Sequence, residues 1–329
     1  MTTDVDGPEP NEDALIDNII RVMQYQLARD YAPETTRRDA HPKHTGLLEA
    51  TFSVLGDLPP HLRVGLFAQP RSYRAWVRTS NASTKVKSDA EKDVRGFAIK
   101  LRGVDGAKLP DSDEPESQDF VLLSTPHMPL GTVKLFHDAI YYSTKSSILL
   151  FAAKLVLTGR LEVLRQLSAL RITPPSPLEI RYWSTTPYQL GPDQVVKYSV
   201  LPTSGTPTKL PDHPGDSYLT EAMERRLAND TVTFDFAVQL RKPGMPIMNA
   251  APRWDETVSP FVRVATLTIP PQTIRTPERA QLAEALSFSP GHARMEHRPI
   301  GPINRARMRV YKANSDFRHT RRGLPRTTG

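Results

Sequence analysis

The chain of 329 residues contains no cysteine. That excludes disulfides, thiolate metal sites and cysteine nucleophiles at once. Any metal must then be held by His, carboxylate or tyrosinate side chains. A long apolar run is also missing. The most apolar stretch, 148–157, is too short to span a bilayer and contains Lys154. The opening MTTDVDGPEPNEDA is acidic and polar, whereas a secretory signal needs a basic start and an apolar core. The expectation is a soluble, cytoplasmic protein with no integral membrane segment. No internal repeat is visible. Hydrophobic residues at 38% and charged residues at 24% exclude a collagen-like, coiled-coil or wholly disordered chain.

Proline and arginine are abundant instead. The 31 prolines are roughly twice the usual share, which predicts extended segments and fixed turns. The net charge is +7, from 43 Lys+Arg against 36 Asp+Glu. Four Arg and one His fall within 318–326, where a solvated basic tail explains them. No aromatic-rich basic motif or zinc spacing accompanies the charge, so no nucleic-acid partner is expected.

Hydrophobic spacing divides the chain. Asn11 is a fitting N-cap, and Leu15, Ile16, Ile19, Ile20, Met23 and Leu27 predict one amphipathic helix over 12–29. Strand character follows at 47–55, 72–80, 94–103 and 118–124, with an acidic loop over 104–118. Helical patterns cover 133–142, 146–157 and 160–170, broken at Gly159 and ended by the prolines of 173–177. Four further strands are predicted at 179–184, 194–202, 231–241 and 261–269. Helices are predicted at 277–286 and 303–318. About eight strands with helices grouped between and after them read as α+β, built on an antiparallel barrel or sandwich.

Two segments carry chemistry. Arg38-Asp-Ala-His41-Pro-Lys43-His44 places two histidines and two cations just before a strand. His41 and His44 form a weak metal pair, a near-neutral acid–base group, or part of a solvated basic loop. In 297–319, Arg307 and Tyr311 stand four apart on a helix, and Arg318 lies seven beyond. A guanidinium beside a phenol favours the phenolate, a good ligand for ferric iron and one of the known axial ligands of haem. Half-buried packing of Tyr311 is the other reading of the same spacing.

Taken in order, these segments resemble the haem-dependent catalase superfamily, in its short branch of catalase-like peroxidases and allene oxide synthases. The residues that carry the resemblance are Arg38-x-x-His41, the VRTS strand with Arg78, Arg95-Gly96-Phe97-Ala98-Ile99-Lys100, FSP at 288–290, and Arg307-x-x-x-Tyr311 with Arg318. YWSTTPYQLG with VVKYSVLP (182–202) and HRPIGPINRAR (297–307) are similar to segments of that short branch. The likeness extends over 35–320.

The resemblance implies a single catalase-like haem domain over 11–320, an antiparallel β-barrel core with helices packed around it. A flexible N-terminus (1–10) and a flexible basic tail (321–329) would flank it. It implies haem b as cofactor and Tyr311 as the iron ligand, paired with Arg307. It also implies His41 as the distal acid–base group, and Arg38, Arg78 and Arg318 as partners of the haem propionates. Phe136 would lie over the distal face. Ser124 stands where catalases carry a distal Asn, so a catalytic part for Ser124 comes with weak or no catalase activity. The long terminal extensions of full catalases are missing, which implies a more open pocket. The expected function is a haem peroxidase acting on hydrogen peroxide or organic hydroperoxides with an organic electron donor. The alternatives are a fatty-acid hydroperoxide isomerase of the allene oxide synthase type, acting on lipid hydroperoxide, and a non-catalytic haem-binding protein. A homodimer is the expected assembly.

Overall fold

The structure, a computed structural model, describes residues 6–203, 207–325 and 327. Its centre is an antiparallel β-barrel. The strands are β1 (His44–Val54), β2 (Ser72–Asn81), β3 (Arg95–Arg102), β4 (Ser117–Leu123), β5 (Tyr182–Trp183), β6 (Tyr188–Leu190), β7 (Gln194–Pro202), β8 (Val232–Leu240) and β9 (Phe261–Ile269). Hydrogen bonding runs β5-β4-β3-β2-β1-β9-β8-β7-β6. The two-residue β5 pairs with β4 on one side and β7 on the other, which closes eight strands into a ring and leaves β6 as a flap on β7.

The strands form because apolar residues recur every second position. On β2, Tyr73, Ala75 and Val77 point inward. On β3, Phe97, Ile99 and Leu101 do so, and on β4, Phe120 and Leu122. The interior is filled by aromatic rings. Phe236 meets Phe52 edge-on at 5.0 Å and Phe120 at 4.7 Å, and Tyr198 meets Phe120 at 5.0 Å. Each buried ring of this kind contributes roughly 1.5–3 kcal/mol by burial alone.

The helices wrap the outside. They are α1 (Glu12–Asp30), α2 (Val133–Lys145), α3 (Ile148–Leu157), α4 (Leu161–Ala169), α5 (Tyr218–Leu227), α6 (Pro277–Ala285) and α7 (Pro302–Arg322). The inner stripe of α1 (Ile16, Ile19, Met23) packs against Ile303, Ala306 and Val310 of α7. Charge pins the same pair: Arg309 reaches Asp13 at 2.6 Å and Asp17 at 2.5 Å, and Arg305 reaches Glu12 at 2.6 Å.

Some details differ from expectation. Asn11 does sit before α1, but at φ 61° and without a side-chain cap; the Glu12 carboxylate instead accepts the Glu9 N–H at 2.9 Å. Only Tyr182–Trp183 of 179–184 is strand, because 177–179 turns as a 3-10 helix led by Pro177. β6 and α5 were not expected; both are short and bounded by ordinary loop residues. α7 continues four residues past Arg318, to a left-handed Gly323 cap. Of the N-terminal segment, residues 1–5 lie outside the described residues. Asp6 and Gly7 accept hydrogen bonds from Arg305. In the tail, Arg321 binds the Tyr31 carbonyl at 2.9 Å and Arg322 binds Glu284 at 3.0 Å, while 326 and 328–329 lie outside the described residues.

Candidate functional site

The outward faces of β2, β3 and β4 form one panel. Cross-strand register sets Ser80 beside Gly96 and Arg78 beside Ala98. It then sets Gly96 beside Leu123 and Ala98 beside Val121. The middle of the panel is therefore small and flat. Segment 38–41 crosses above it, and α7 with 287–288 forms the far wall. The pocket between them has a cavity volume of about 100 Å³ and is open at its mouth.

His41 has a φ of +57°, a conformation a non-glycine residue adopts only when neighbours enforce it. Arg78 donates to the His41 carbonyl at 2.8 Å, and His41 Nδ1 meets Ser80 Oγ at 2.9 Å. A Cβ at position 96 would lie 2.7 Å from His41 Nδ1 and 2.7 Å from Ser80 Oγ. Glycine there is what lets the ring lie on the panel. Burial, followed by the charges of Arg78, Arg307 and Arg38, pushes the His41 pKa down to about 3. The imidazole is therefore neutral at working pH.

α7 presents Arg307, Tyr311, Asn314, Ser315 and Arg318 along one stripe, the i, i+4, i+7, i+8, i+11 pattern of a helix face. Tyr311, Asn314, Ser315 and Arg318 line the pocket. Arg307 stacks behind Tyr311, with its guanidinium carbon 5.5 Å from the ring centre. Thr186 Oγ1 at 2.9 Å and Asn304 Oδ1 at 3.2 Å hold it there. Burial opposes its charge, but Tyr311 and Tyr188 outweigh that and raise its pKa.

Three arginines, Arg38, Arg78 and Arg318, converge on the same pocket. Burial depresses all three, and the Arg38 charge lowers Arg78 and Arg318 further, Arg318 to about 9. Glu284 of α6 is their local countercharge. It lies 3.5 Å from Arg38 and 3.7 Å from His44. Despite burial, hydrogen bonding to His44 and these arginines hold its carboxyl far below the usual range. Arg38 Nη2 also donates to the Ala283 and Leu286 carbonyls at 2.8 and 2.6 Å. Even so, Arg78 Nε is buried without a hydrogen-bond partner, and Arg38 Nη1 has only the 3.5 Å ion pair with Glu284. Buried donors left open in a cationic pocket are what an anionic ligand satisfies.

No family model matches the chain. It is 27% identical to a catalase-related peroxidase of Mycolicibacterium paratuberculosis (strain ATCC BAA-968 / K-10) over 300 residues, 85% of this chain and 88% of the relative. Its fold matches catalase A from Saccharomyces cerevisiae with a TM-score of 0.69 at 17% identity, over 95% of this chain and 66% of that one. A bacterial catalase matches with a TM-score of 0.67 at 18% identity, over 99% of this chain and 65% of that one. A fungal catalase matches with a TM-score of 0.67 at 18% identity, over 95% and 64%. The fold is the catalase fold. The chain spans about two thirds of the length of these solved catalases.

Within this fold, five sequence-derived site residues meet at the pocket: Arg38, His41, Arg78, Tyr311 and Arg318. Arg307 backs Tyr311 from behind. Ser124 and Phe136 are not brought to the lining. The Ser124 hydroxyl accepts the Arg95 N–H at 2.9 Å, tying β3 to the end of β4. Phe136 packs on the apolar cluster between α1 and α7. Sequence reasoning did not single out Ser80, Glu284 or Asn314. Ser80 had a signal, since it lies two residues from Arg78 and so on the same strand face.

Beside the pocket on the same barrel face lies a buried ion network. Lys100 Nζ is 3.0 Å from Asp119 and also binds Glu114. His292 is 2.7 Å from Asp119 and 2.8 Å from Asp113. Glu114, Asp119 and His292 have the spacing of metal ligands. The Lys100 ammonium already serves that centre, so the cluster is an ion-pair network.

Proposed function

We propose that the pocket holds haem b and that the protein is a peroxidase acting on hydrogen peroxide or organic hydroperoxides. The observation that carries this is the convergence of a neutral His41, a Tyr311 backed by Arg307, and the three arginines Arg38, Arg78 and Arg318 on one flat-floored pocket. The residues fit the group. Arg38, Arg78 and Arg318 supply the charge to hold two propionates, with an open donor on Arg78. Tyr311 is the iron ligand on this reading, with the Arg307 guanidinium stacked behind its ring. When bound, haem supplies the redox centre at which a peroxide O–O bond is cleaved.

The chain's own residues do the rest. Neutral His41 accepts a proton from the peroxide and returns it to the departing oxygen. Ser80 and the Arg78–carbonyl contact fix the ring while it does so. Ser124 lies off the pocket lining, so no side chain from that position joins His41 at the peroxide, and slow disproportionation of hydrogen peroxide is expected. An organic donor supplies the reducing electrons. The name of the mycobacterial relative, a catalase-related peroxidase, favours this over the isomerase reading.

Titration of the purified protein with haemin tests the proposal. The expected result is a saturable high-spin ferric spectrum, altered in Tyr311→Phe and weakened in Arg78→Ala. His41→Ala should retain haem and oxidise donors at least a hundredfold more slowly. A protein that takes up no haemin, or a His41→Ala variant with unchanged turnover, overturns it.

A further inference from the structure

Helix α3 is apolar on both sides. Phe151 and Leu155 are buried against α2 and α4. The opposite side carries Leu149, Leu150, Ala153, Val156 and Leu157, all exposed, at the i, i+1, i+4, i+7, i+8 spacing of one helix face. Leu149 is 76% exposed and Leu157 86%. Leu161 and Ile148 extend the patch at either end, at 44% and 58%. A surface helix ordinarily turns polar residues outward. A contiguous exposed patch of this kind marks a surface that is covered in use.

The rim of the patch is cationic. Lys145, Arg160, Arg165 and Arg171 are exposed around it. Over 133–171 the chain has six Lys/Arg against two acidic residues, Asp138 and Glu162. Asp138 is taken up by Lys154 at 2.8 Å and Lys134 at 3.2 Å. Glu162, the other acidic residue of that stretch, lies 3.9 Å from Arg165.

We propose that the outer face of α3 docks onto the surface of an anionic lipid bilayer. The apolar stripe enters the boundary between headgroups and acyl chains, and Lys145, Arg160, Arg165 and Arg171 meet the lipid phosphates. Two features favour lipid over a second copy of the chain. A two-fold contact through this face would set the cationic rim against itself. The stripe of a ten-residue helix, about 15 Å long and about 10 Å wide, covers roughly 150 Å², well short of the roughly 800 Å² per partner that a stable dimer buries. The helix lies on the membrane and does not cross it: among the described residues no helix is long and apolar enough to do so.

The docking needs neither haem nor peroxide, so its test is independent of the proposed activity. Full-length protein is mixed with phosphatidylcholine vesicles with and without phosphatidylglycerol, and bound protein is measured by flotation. The wild type is expected to float with the anionic vesicles, less so as salt is raised. The double variant Leu149→Gln/Leu157→Gln changes only exposed positions, and is expected to bind at least tenfold more weakly with unchanged melting temperature. The proposal is overturned if the wild type ignores anionic vesicles at low salt, or if the double variant binds equally well. It is also overturned if sedimentation shows a wild-type dimer that the double variant abolishes, since a second copy then covers the face.

Discussion

At the scale of single residues, the site depends on what is small as much as on what is charged. Gly96 is the clearest case. Gly96→Ala sets a methyl group 2.7 Å from both the His41 ring and Ser80 Oγ. The expected cost is about 1–3 kcal/mol in chemical denaturation, with donor oxidation falling more than haem affinity because the ring is displaced. Loss of haem with an intact His41 position would contradict this. Much of the residue-level site was legible in the sequence. Arg307, Tyr311 and Arg318 share a helix face, and helix spacing is local information. Arg38, His41 and Arg78 were legible only through resemblance. What fixes them is distant in sequence: the Glu284 carboxylate, the Ala283 and Leu286 carbonyls, and the positive φ of His41. Position 124 was legible as a departure, but not that its hydroxyl is consumed by the Arg95 amide. Phe136 packs on the α1–α7 cluster instead of lining the pocket, and an aromatic on an amphipathic helix looks the same in sequence whether it faces a ligand or a neighbouring helix.

At the scale of elements, the loop 288–297 is clamped to the barrel beside the pocket by charge. Burial works against the imidazolium of His292, but Asp119 and Asp113 outweigh it and raise its pKa to about 9. The unfolded value is near 6.5. The folded state therefore holds the proton more tightly, and this stabilisation is complete below pH 6.5 and is lost as pH rises through 9. Denaturant midpoints measured across that window should fall with rising pH. In His292→Gln that slope should flatten, and the variant should lose roughly 3–5 kcal/mol for breaking a buried pair. An unchanged slope would show that the pair does not titrate there. α1 plays a comparable part for α7: its salt bridges and apolar stripe press the ligand-bearing helix onto the barrel from outside. The helices themselves were readable from periodicity. Their partners were not, because a stripe of Leu and Ile says that something is covered without saying by what.

At the scale of the whole molecule, the barrel is the rigid body on which the panel of the pocket is drawn. Phe236 sits at its centre in contact with Phe52, Phe120 and Tyr198. Phe236→Ala should cost about 3–5 kcal/mol, detectable as a lowered melting temperature with or without haemin. Acid should act on the whole molecule through its buried histidines. His297 is fully buried, and its Nε2 accepts the Leu66 N–H at 2.8 Å. Desolvation pushes its pKa down to about 3, so, like His41, it resists protonation when folded. Stability from this source is present above pH 6.5 and is lost as pH falls towards 3. Barrel and eight-strand count were legible because alternation is strong in every long strand. The closing strand was expected over 179–184, but its reduction to Tyr182–Trp183 was not legible, since two residues carry no period.

The pairing of β1 with β9 also sets an order of events during synthesis. Thr51 must wait for Thr268 to emerge before the two can pair. Until then β1 is an open edge, and the wall bearing Arg38 and His41 faces an absent α7. The ribosome thus releases the two halves of the pocket at opposite ends of translation, and a stalled or truncated chain exposes an unpaired strand of a kind that seeks other strands. The distance in sequence that makes the site hard to read also makes nascent chains of this protein dependent on protection until their last helix is made.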